Sequence, residues 1–129
     1  MDKRITITAA ILILTAIILG AMAAHFLKER VQLPEAGLNT FEKAIRYQMY
    51  MGLGMLIVGL NANKIKLSLG IFYYLGLTGV ILFSGMLYIW SFHEIAPIPK
   101  LVVYIVPFGG VSMILCWLLF LVKVFKNPH

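Results

Sequence analysis

The stretch that decides the fold is Leu67–Phe92, LSLGIFYYLGLTGVILFSGMLYIWSF, a run of 26 residues without a charged side chain. About 20 mostly apolar residues in an α-helix cross the roughly 30 Å hydrocarbon layer of a membrane. Ile5–Ala24 and Leu101–Val122 are equally free of charge, and Tyr47–Leu60 reaches spanning length if its helix begins several residues earlier. The sequence therefore predicts four transmembrane helices, with approximate spans 5–26, 41–60, 67–92 and 101–122.

The composition supports a membrane protein. Of the 129 residues, 61% are hydrophobic and only 12% are charged, and the mean hydropathy is +0.93. A soluble domain carries about a quarter charged residues. Lipid offers the backbone no hydrogen-bond partners, and continuous apolar runs lack the alternation of a membrane β-barrel. We predict an all-α membrane protein in which residues 1–129 form a single domain.

The connections between the four runs are short. Residues 61–66 form a polar turn, residues 93–100 contain Pro97 and Pro99, and residues 25–40 form the longest connection. Short connections place consecutive helices side by side in opposite directions. The expected architecture is an antiparallel up-down-up-down bundle of four helices.

Small residues indicate where the helices approach closely. Ala16, Gly20 and Ala24 are spaced four apart in the first run and predict a contact stripe. The glycines at 76, 79, 109 and 110 lie inside apolar runs, where they are expected to permit helix contact. The start of the chain also resembles a signal peptide, but its apolar run is longer than the usual 7–15 residues, so we expect a retained first helix.

Basic residues indicate the orientation. The side that holds both termini and the second connection carries six Lys and Arg residues, and the other side carries five, or three if Lys43 and Arg46 belong to the second helix. We predict that both termini are cytoplasmic. The net charge of +6 is spread along the chain, which indicates contact with anionic membrane lipid and no nucleic-acid partner.

This topology brings several polar side chains to one membrane face. His25 and Glu29 are four residues apart, as are Glu42 and Arg46. Such pairs share a helix face, and an acid before a base is the favourable order for an ion pair. The candidate site consists of His25, Glu29, Glu42, Arg46, Gln48 and Tyr50, joined by Ser84 and Tyr88 from the third run.

Two interpretations of this cluster remain open. In the first, Glu42 and Arg46 form a structural clasp that holds the first two helices in register, with Tyr50 at the membrane interface. In the second, the cluster is a ligand site or a proton-responsive site in which His25 or His93 titrates. The first is favoured because charges are common at the ends of membrane helices.

No sequence motif for catalysis or cofactor binding is present. His25 with Glu29 supplies two metal ligands, fewer than the three or four that a metal site needs. The chain has no nucleophile elbow, phosphate loop or dinucleotide fingerprint, and its one cysteine, Cys116, lies in an apolar run. We predict no enzymatic activity, no cofactor and no metal.

Four segments resemble a known family. They are GAMAAHFL (Gly20–Leu27), FEKAIRYQMYMGLGMLIVG (Phe41–Gly59), LFSGMLYIW (Leu82–Trp90) and VPFGGVSMILCWLLF (Val106–Phe120). Together they are similar to the domain of unknown function 423 family, which has an animal relative named transmembrane protein 256. The resemblance implies a four-span inner-membrane protein with a retained first helix and implies no enzymatic activity. Family members often have histidine where Met51 stands, a difference that favours a structural role for this segment.

Two functions from different classes follow from these observations. The first is a small membrane protein that acts by association, with itself, with lipid or as an accessory subunit of a larger complex. The alternative is a small oligomeric transporter or channel with a polar site near the non-cytoplasmic face. A dry apolar interior below Tyr50 favours association, and a water-filled path past Ser84 favours transport.

Overall fold

The computed structural model describes residues 1–65 and 69–126, and these residues are almost entirely helical, without a β-strand. Two of the four long helices change hydrogen-bond register along their length. The four helices are α1 (Lys3–Arg30, with a π-helical end at Ala23–Arg30), α2 (Glu35–Leu60), α3 (Leu69–Trp90, with a π-helical turn at Ile81–Gly85) and α4 (Leu101–Lys126). A 3₁₀ turn, Ala62–Lys64, follows α2. Residues 67 and 68, where the third span was predicted to begin, lie outside the described ranges.

Three of these helices are long and apolar enough to cross a membrane: α1, α3 and α4. Helix α2 has the length, 26 residues, but it is more polar. It contains Glu42, Lys43 and Arg46 in addition to Glu35 in its first turn. The all-helical fold and the apolar helices agree with the prediction from the sequence.

Local chemistry fixes the helix ends. Asp2 caps α1, because its Oδ1 accepts a hydrogen bond from the Ile5 backbone N–H at 3.1 Å. The backbone N–H of Asp2 donates to the carbonyl of Gly59 at 2.8 Å and so ties the start of α1 to the end of α2. Pro34 precedes α2, where its fixed φ and missing N–H suit a helix start. The hydrogen bond from Asp2 to Gly59 sets the register between α1 and α2.

Small side chains at seven-residue intervals form the contact between α1 and α2. Ala9, Ala16 and Ala23 are buried along α1. The prediction of a stripe at Ala16, Gly20 and Ala24 is wrong, since Gly20 has no atom near its missing Cβ and Ala24 is exposed. A seven-residue repeat suits a left-handed helix crossing, whereas a four-residue repeat of small residues suits a right-handed one.

Glycines bring α3 and α4 into backbone contact. A Cβ on Gly109 would overlap the backbone N of Phe83, and a Cβ on Gly79 would lie 3.1 Å from the carbonyl oxygen of Gly109. Gly76 faces Met55 Sδ, which would lie 3.2 Å from an added Cβ. The prediction that glycines permit close helix contact is confirmed at positions 76, 79 and 109. Gly110 approaches its neighbours less closely, at 3.7 Å from the Phe83 ring.

Two apolar clusters fill the interior. The larger one holds the first half of α1 against the other three helices and is made of Ile5, Ala9, Met51, Met55, Val58, Phe72, Val80, Met113 and Cys116. The smaller one lies at the opposite end and is made of Ala23, Leu27, Leu33 and Phe41. Polar side chains lie between the two clusters, and they form the candidate site.

Every long helix exposes large apolar side chains on the outer surface. Leu14, Ile57, Tyr74 and Ile114 are all more than half exposed. Contiguous apolar surface of this extent is costly in water. It suits hydrocarbon, in agreement with a membrane location.

Candidate functional site

Gln48 is the centre of a hydrogen-bonded layer that joins three helices. Its side chain is buried in the middle of α2. The amide nitrogen Nε2 donates to the Leu12 carbonyl at 2.9 Å and to Thr15 Oγ1 at 2.7 Å, both on α1. The amide oxygen Oε1 accepts from the hydroxyl of Tyr88 on α3 at 2.7 Å. We call Gln48, Thr15, Tyr88 and Ser84 the polar layer.

The chemistry of these partners sets the orientation of the amide. A backbone carbonyl only accepts, so Nε2 must face Leu12. Thr15 gives its own hydroxyl hydrogen to the Ile11 carbonyl at 2.8 Å, so its oxygen is free to accept from Nε2. Gln48 thus uses both amide hydrogens and its oxygen, which is the condition for burying an amide without a large penalty.

Ser84 extends the layer from α3 back to α2. Its Oγ donates to the Ala44 carbonyl at 2.8 Å, and the side chain is fully buried. Ser84 lies in the π-helical turn Ile81–Gly85. Such turns often mark sites where a helix adapts its backbone to a tertiary contact.

A similar hydrogen bond connects α4 to α3. Ser112 Oγ donates to the Leu75 carbonyl at 2.7 Å. Each consecutive pair of helices therefore has a side chain on the later helix that donates to a backbone carbonyl on the earlier one. In hydrocarbon, such bonds hold helices together where the hydrophobic effect contributes little between them.

The structure brings together three of the eight predicted site residues: Gln48, Ser84 and Tyr88. The other five side chains are exposed on the surface of the bundle and take no part in the polar layer: His25, Glu29, Glu42, Arg46 and Tyr50. The side chain that bonds α2 to α1 is Gln48, and the ion pair between Glu42 and Arg46 stays a prediction.

Thr15 belongs to the polar layer but was not among the site residues predicted from the sequence. Thr15 is one of three threonines in an otherwise apolar run. Helices that run in opposite directions place the middle of the first run beside the middle of the second, where Gln48 lies. A central polar residue on each of two neighbouring spans was the available signal.

Position 51 packs α2 against α4. Met51 is buried, and Trp117 Nε1 donates to its Sδ at 3.1 Å. The ring of Trp117 also lies against Gly54, where an added Cβ would meet the indole at 2.6 Å. The methionine that stands at this position therefore has a packing role.

A pocket of about 620 Å³ lies where α1 ends and α2 begins. Its lining includes Lys28, Gln32, Glu35, Asn39 and Glu42. Within residues 1–65 and 69–126, no group of three His, Cys, Asp or Glu side chains is close enough to hold a metal ion. His93 packs against Trp90 instead: the centroids of the two stacked rings are 4.2 Å apart, and His93 Nδ1 lies 2.9 Å from the Trp90 carbonyl oxygen.

The polar layer has the chemistry of a structural contact. In the described part of the chain, every buried side-chain nitrogen and oxygen has a hydrogen-bond partner. The layer contains an amide, three hydroxyls and backbone carbonyls, and no ionisable carboxylate, imidazole or amine. Groups that are neutral and mutually satisfied fix helix positions, and every hydrogen-bond donor of the layer is already in use.

Comparison with known proteins places the chain in a family. A family described as "Protein of unknown function (DUF423)" matches residues 19–110. A UPF0382 membrane protein of Staphylococcus saprophyticus is 34% identical over 124 residues, covering 96% of this chain and 98% of that protein. The UPF0382 membrane protein YwdK of Bacillus subtilis is 34% identical over 126 residues, covering 96% and 98%. No solved structure matches the chain. The resemblance seen in the sequence is confirmed, and the chain belongs to the DUF423 family of membrane proteins, whose curated relatives carry the name UPF0382.

Proposed function

We propose that this protein is a non-enzymatic integral membrane protein that acts by association within the membrane, with a second copy, with lipid or as an accessory subunit of a larger complex. The observation that carries the proposal is the closed interior of the bundle. The polar layer is fully hydrogen-bonded, and an apolar cluster seals the interior on each side of it. The outer surface is then the part of the protein that is available for function.

The proposal includes four crossings of the membrane by an antiparallel up-down-up-down bundle. Helix α2 is about 39 Å long at 1.5 Å per residue, which exceeds the hydrocarbon thickness. It contacts its neighbours along that whole length: Gly59 meets Thr6 near the start of α1, and Gly37 meets Ser91 just beyond α3. If α1 and α3 cross the bilayer, α2 between them crosses it too.

Both termini are proposed to be cytoplasmic, in the inner membrane. Lys43 and Arg46 lie inside the proposed second span, 41–60, whereas the other nine Lys and Arg residues lie outside the four proposed spans. The count of Lys and Arg then becomes six on the side of the termini against three on the other side. The packing of Ile5 and Ala9 in the larger apolar cluster supports retention of the first helix.

The closed interior favours association over the alternative of a transporter or channel. A transport path needs polar groups that remain free to bind water or solute along the depth of the membrane. Below the polar layer, Met55, Val58 and Phe72 are almost completely buried in apolar contacts. A bundle of this kind conducts nothing through its own centre.

Purification of the tagged chain from native membranes in mild detergent tests the proposal. We expect near-stoichiometric recovery of an untagged copy of the same chain, of another membrane protein, or of a defined lipid. The matched control is an unrelated tagged protein with four membrane helices. Recovery of the tagged chain alone, with no more lipid than the control, would contradict the proposal.

A further inference from the structure

The exposed side of α2 carries charges inside the proposed membrane span, in its first two turns. Glu42, Lys43 and Arg46 are all exposed, and they occupy the side of α2 that turns away from α1 and α3. Tyr50, Leu53 and Ile57 continue this side toward the end of the helix with 59%, 47% and 63% of their surfaces exposed. We call these six residues the α2 stripe.

The hydrogen bonds of the polar layer measure the depth of the stripe. Gln48 bonds to Thr15, which precedes His25 by ten residues on α1, so Gln48 lies roughly 15 Å inside the polar end of the bundle. Arg46 is two residues nearer that end, at a depth of roughly 12 Å. The bond from Ser84 to Ala44, with Ser84 nine residues before His93, gives a similar depth from α3.

This depth is greater than the reach of an arginine side chain. With the headgroups at the level of His25, near the end of the proposed first span, Arg46 cannot bring its guanidinium fully to them by extending along the helix. Ionisable side chains within a membrane span ordinarily face a protein interior or another ionisable group. In the single bundle, Arg46 faces outward, so the chemistry of the stripe calls for a polar partner in the plane of the membrane.

The signs of the charges point to a second copy of the same chain. The stripe contains both an acid and bases, one helical turn apart, so it is complementary to itself. Copies inserted in the same orientation are related by a two-fold axis along the membrane normal. This symmetry places residues of equal depth on the two copies opposite each other. Glu42 of each copy then lies within about one turn, roughly 6 Å along the axis, of Arg46 of the other copy.

We propose that the α2 stripe is a homodimer interface in which Glu42 of each copy pairs with Arg46 of the other. Two reciprocal ion pairs form in the upper half of the interface, and Leu53 and Ile57 pack against their counterparts below. This inference rests on the proposed function and names its partner and its surface. An anionic lipid is a poorer occupant, because the Glu42 carboxylate would face its phosphate.

Disulfide cross-linking of the full chain in native membranes tests the interface. Leu53→Cys places a thiol on the stripe, and Ile11→Cys is the matched control on α1. The two positions have similar depths, since the neighbouring residues Gly52 and Leu12 are in contact, and Ile11 is 53% exposed. We expect mild oxidation to give a covalent dimer from Leu53→Cys and about tenfold less from Ile11→Cys. The native Cys116 is completely buried and does not interfere.

Charge reversal distinguishes pairing between copies from pairing within one helix. In the Leu53→Cys background, Glu42→Arg alone and Arg46→Glu alone each place like charges opposite each other, and we expect the dimer yield to fall about tenfold. When both single variants are expressed together with different tags, each copy faces opposite charges, so the mixed dimer recovers. Pairs within one chain are broken in both variants and would give no recovery.

Failure of the mixed dimer to recover would overturn the reciprocal ion pairs, and two further results would overturn the interface itself. One is equal cross-linking of Leu53→Cys and Ile11→Cys, and the other is cross-linking of Leu53→Cys to a different protein. In the second case, the association function would stand and the homodimer would be wrong. If the charge variants fail to fold, the comparison of Leu53→Cys with Ile11→Cys still tests whether the α2 stripe is the dimer interface.

Discussion

Removal of the Gln48 amide should be the most damaging polar substitution in the bundle. In Gln48→Leu, three hydrogen bonds between helices are lost, to Thr15, Leu12 and Tyr88. At about 0.6 kcal/mol for each such bond in a membrane protein, the loss is about 2 kcal/mol. The Tyr88 hydroxyl also loses its acceptor in a buried place, which costs about 1 kcal/mol more. We expect the free energy of unfolding to fall by about 3 kcal/mol.

The pair with Tyr88 gives a double-mutant cycle. Tyr88→Phe removes one bond and leaves the Gln48 oxygen without its donor, so it should cost about 1.5 kcal/mol. In the double variant, neither residue keeps a polar group that lacks its partner, so we expect the free energy of unfolding to fall by about 2 kcal/mol in total. The difference between this total and the sum of the single effects is the coupling energy of the pair.

Equilibrium unfolding by SDS titration in detergent micelles, followed by tryptophan fluorescence, measures these quantities. The matched control is Tyr104→Phe, since Tyr104 is an exposed tyrosine on α4, and its effect on the free energy of unfolding should stay within about 0.5 kcal/mol. Additive effects of Gln48→Leu and Tyr88→Phe, within about 0.5 kcal/mol, would refute the hydrogen-bonded layer.

Three further substitutions test the packing and the helix ends by the same unfolding measurement. Gly109→Ala should lower the free energy of unfolding by about 1–3 kcal/mol, because the added Cβ overlaps the backbone of α3. Gly20→Ala, whose Cβ meets open space, should leave it unchanged. Equal effects of the two substitutions would contradict the close contact. Asp2→Ala should cost about 0.5–2 kcal/mol through loss of the helix cap, and Asp2→Asn should retain most of the stability; a neutral Asp2→Ala would exclude the cap. Ser112→Ala should cost about 0.6–1.7 kcal/mol through loss of its bond to the Leu75 carbonyl, and an unchanged midpoint would show that this bond does not stabilise the bundle.

Much of the helical architecture could be predicted from the sequence because membrane helices leave a direct compositional signal. The charge-free runs located α1, α3 and α4, and the prolines at 97 and 99 marked the loop before α4. Boundaries were less accurate: α1 continues to Arg30, and α2 begins at Glu35, six residues before the predicted start of the span. Polar extensions of a helix have no apolar signal to reveal them.

The polar layer was only partly predictable. The sequence grouped Gln48 with Ser84 and Tyr88 by membrane face, but it placed them with surface charges because spacing along a chain does not report how deep a residue lies. Burial separates the two sets: Gln48 and Ser84 face the other helices, while Glu42 and Arg46 face outward. Which face of α2 turns inward depends on the packing of all its neighbours.

Helix contact through small residues shows the same limit. Glycines 79 and 109 were correctly expected to allow close approach, yet the stripe predicted on α1 had the wrong period. The alanines at 9, 16 and 23 are seven apart, and they follow the crossing of α1 over α2. The two π-helical segments, Ala23–Arg30 and Ile81–Gly85, shift the hydrogen-bond register of α1 and α3, and the apolar runs did not predict them.

The accessibility of buried thiols to water tests the closed interior most directly. The native Cys116 lies in the larger apolar cluster, and Ser84→Cys places a second thiol in the polar layer. Lys28→Cys, at an exposed position, is the positive control. With a charged, membrane-impermeant thiol reagent added to either side of native membranes, we predict labelling of Lys28→Cys alone until the protein is denatured. Rapid labelling of Ser84→Cys or Cys116 in the folded protein would reveal a water-filled path and contradict the account.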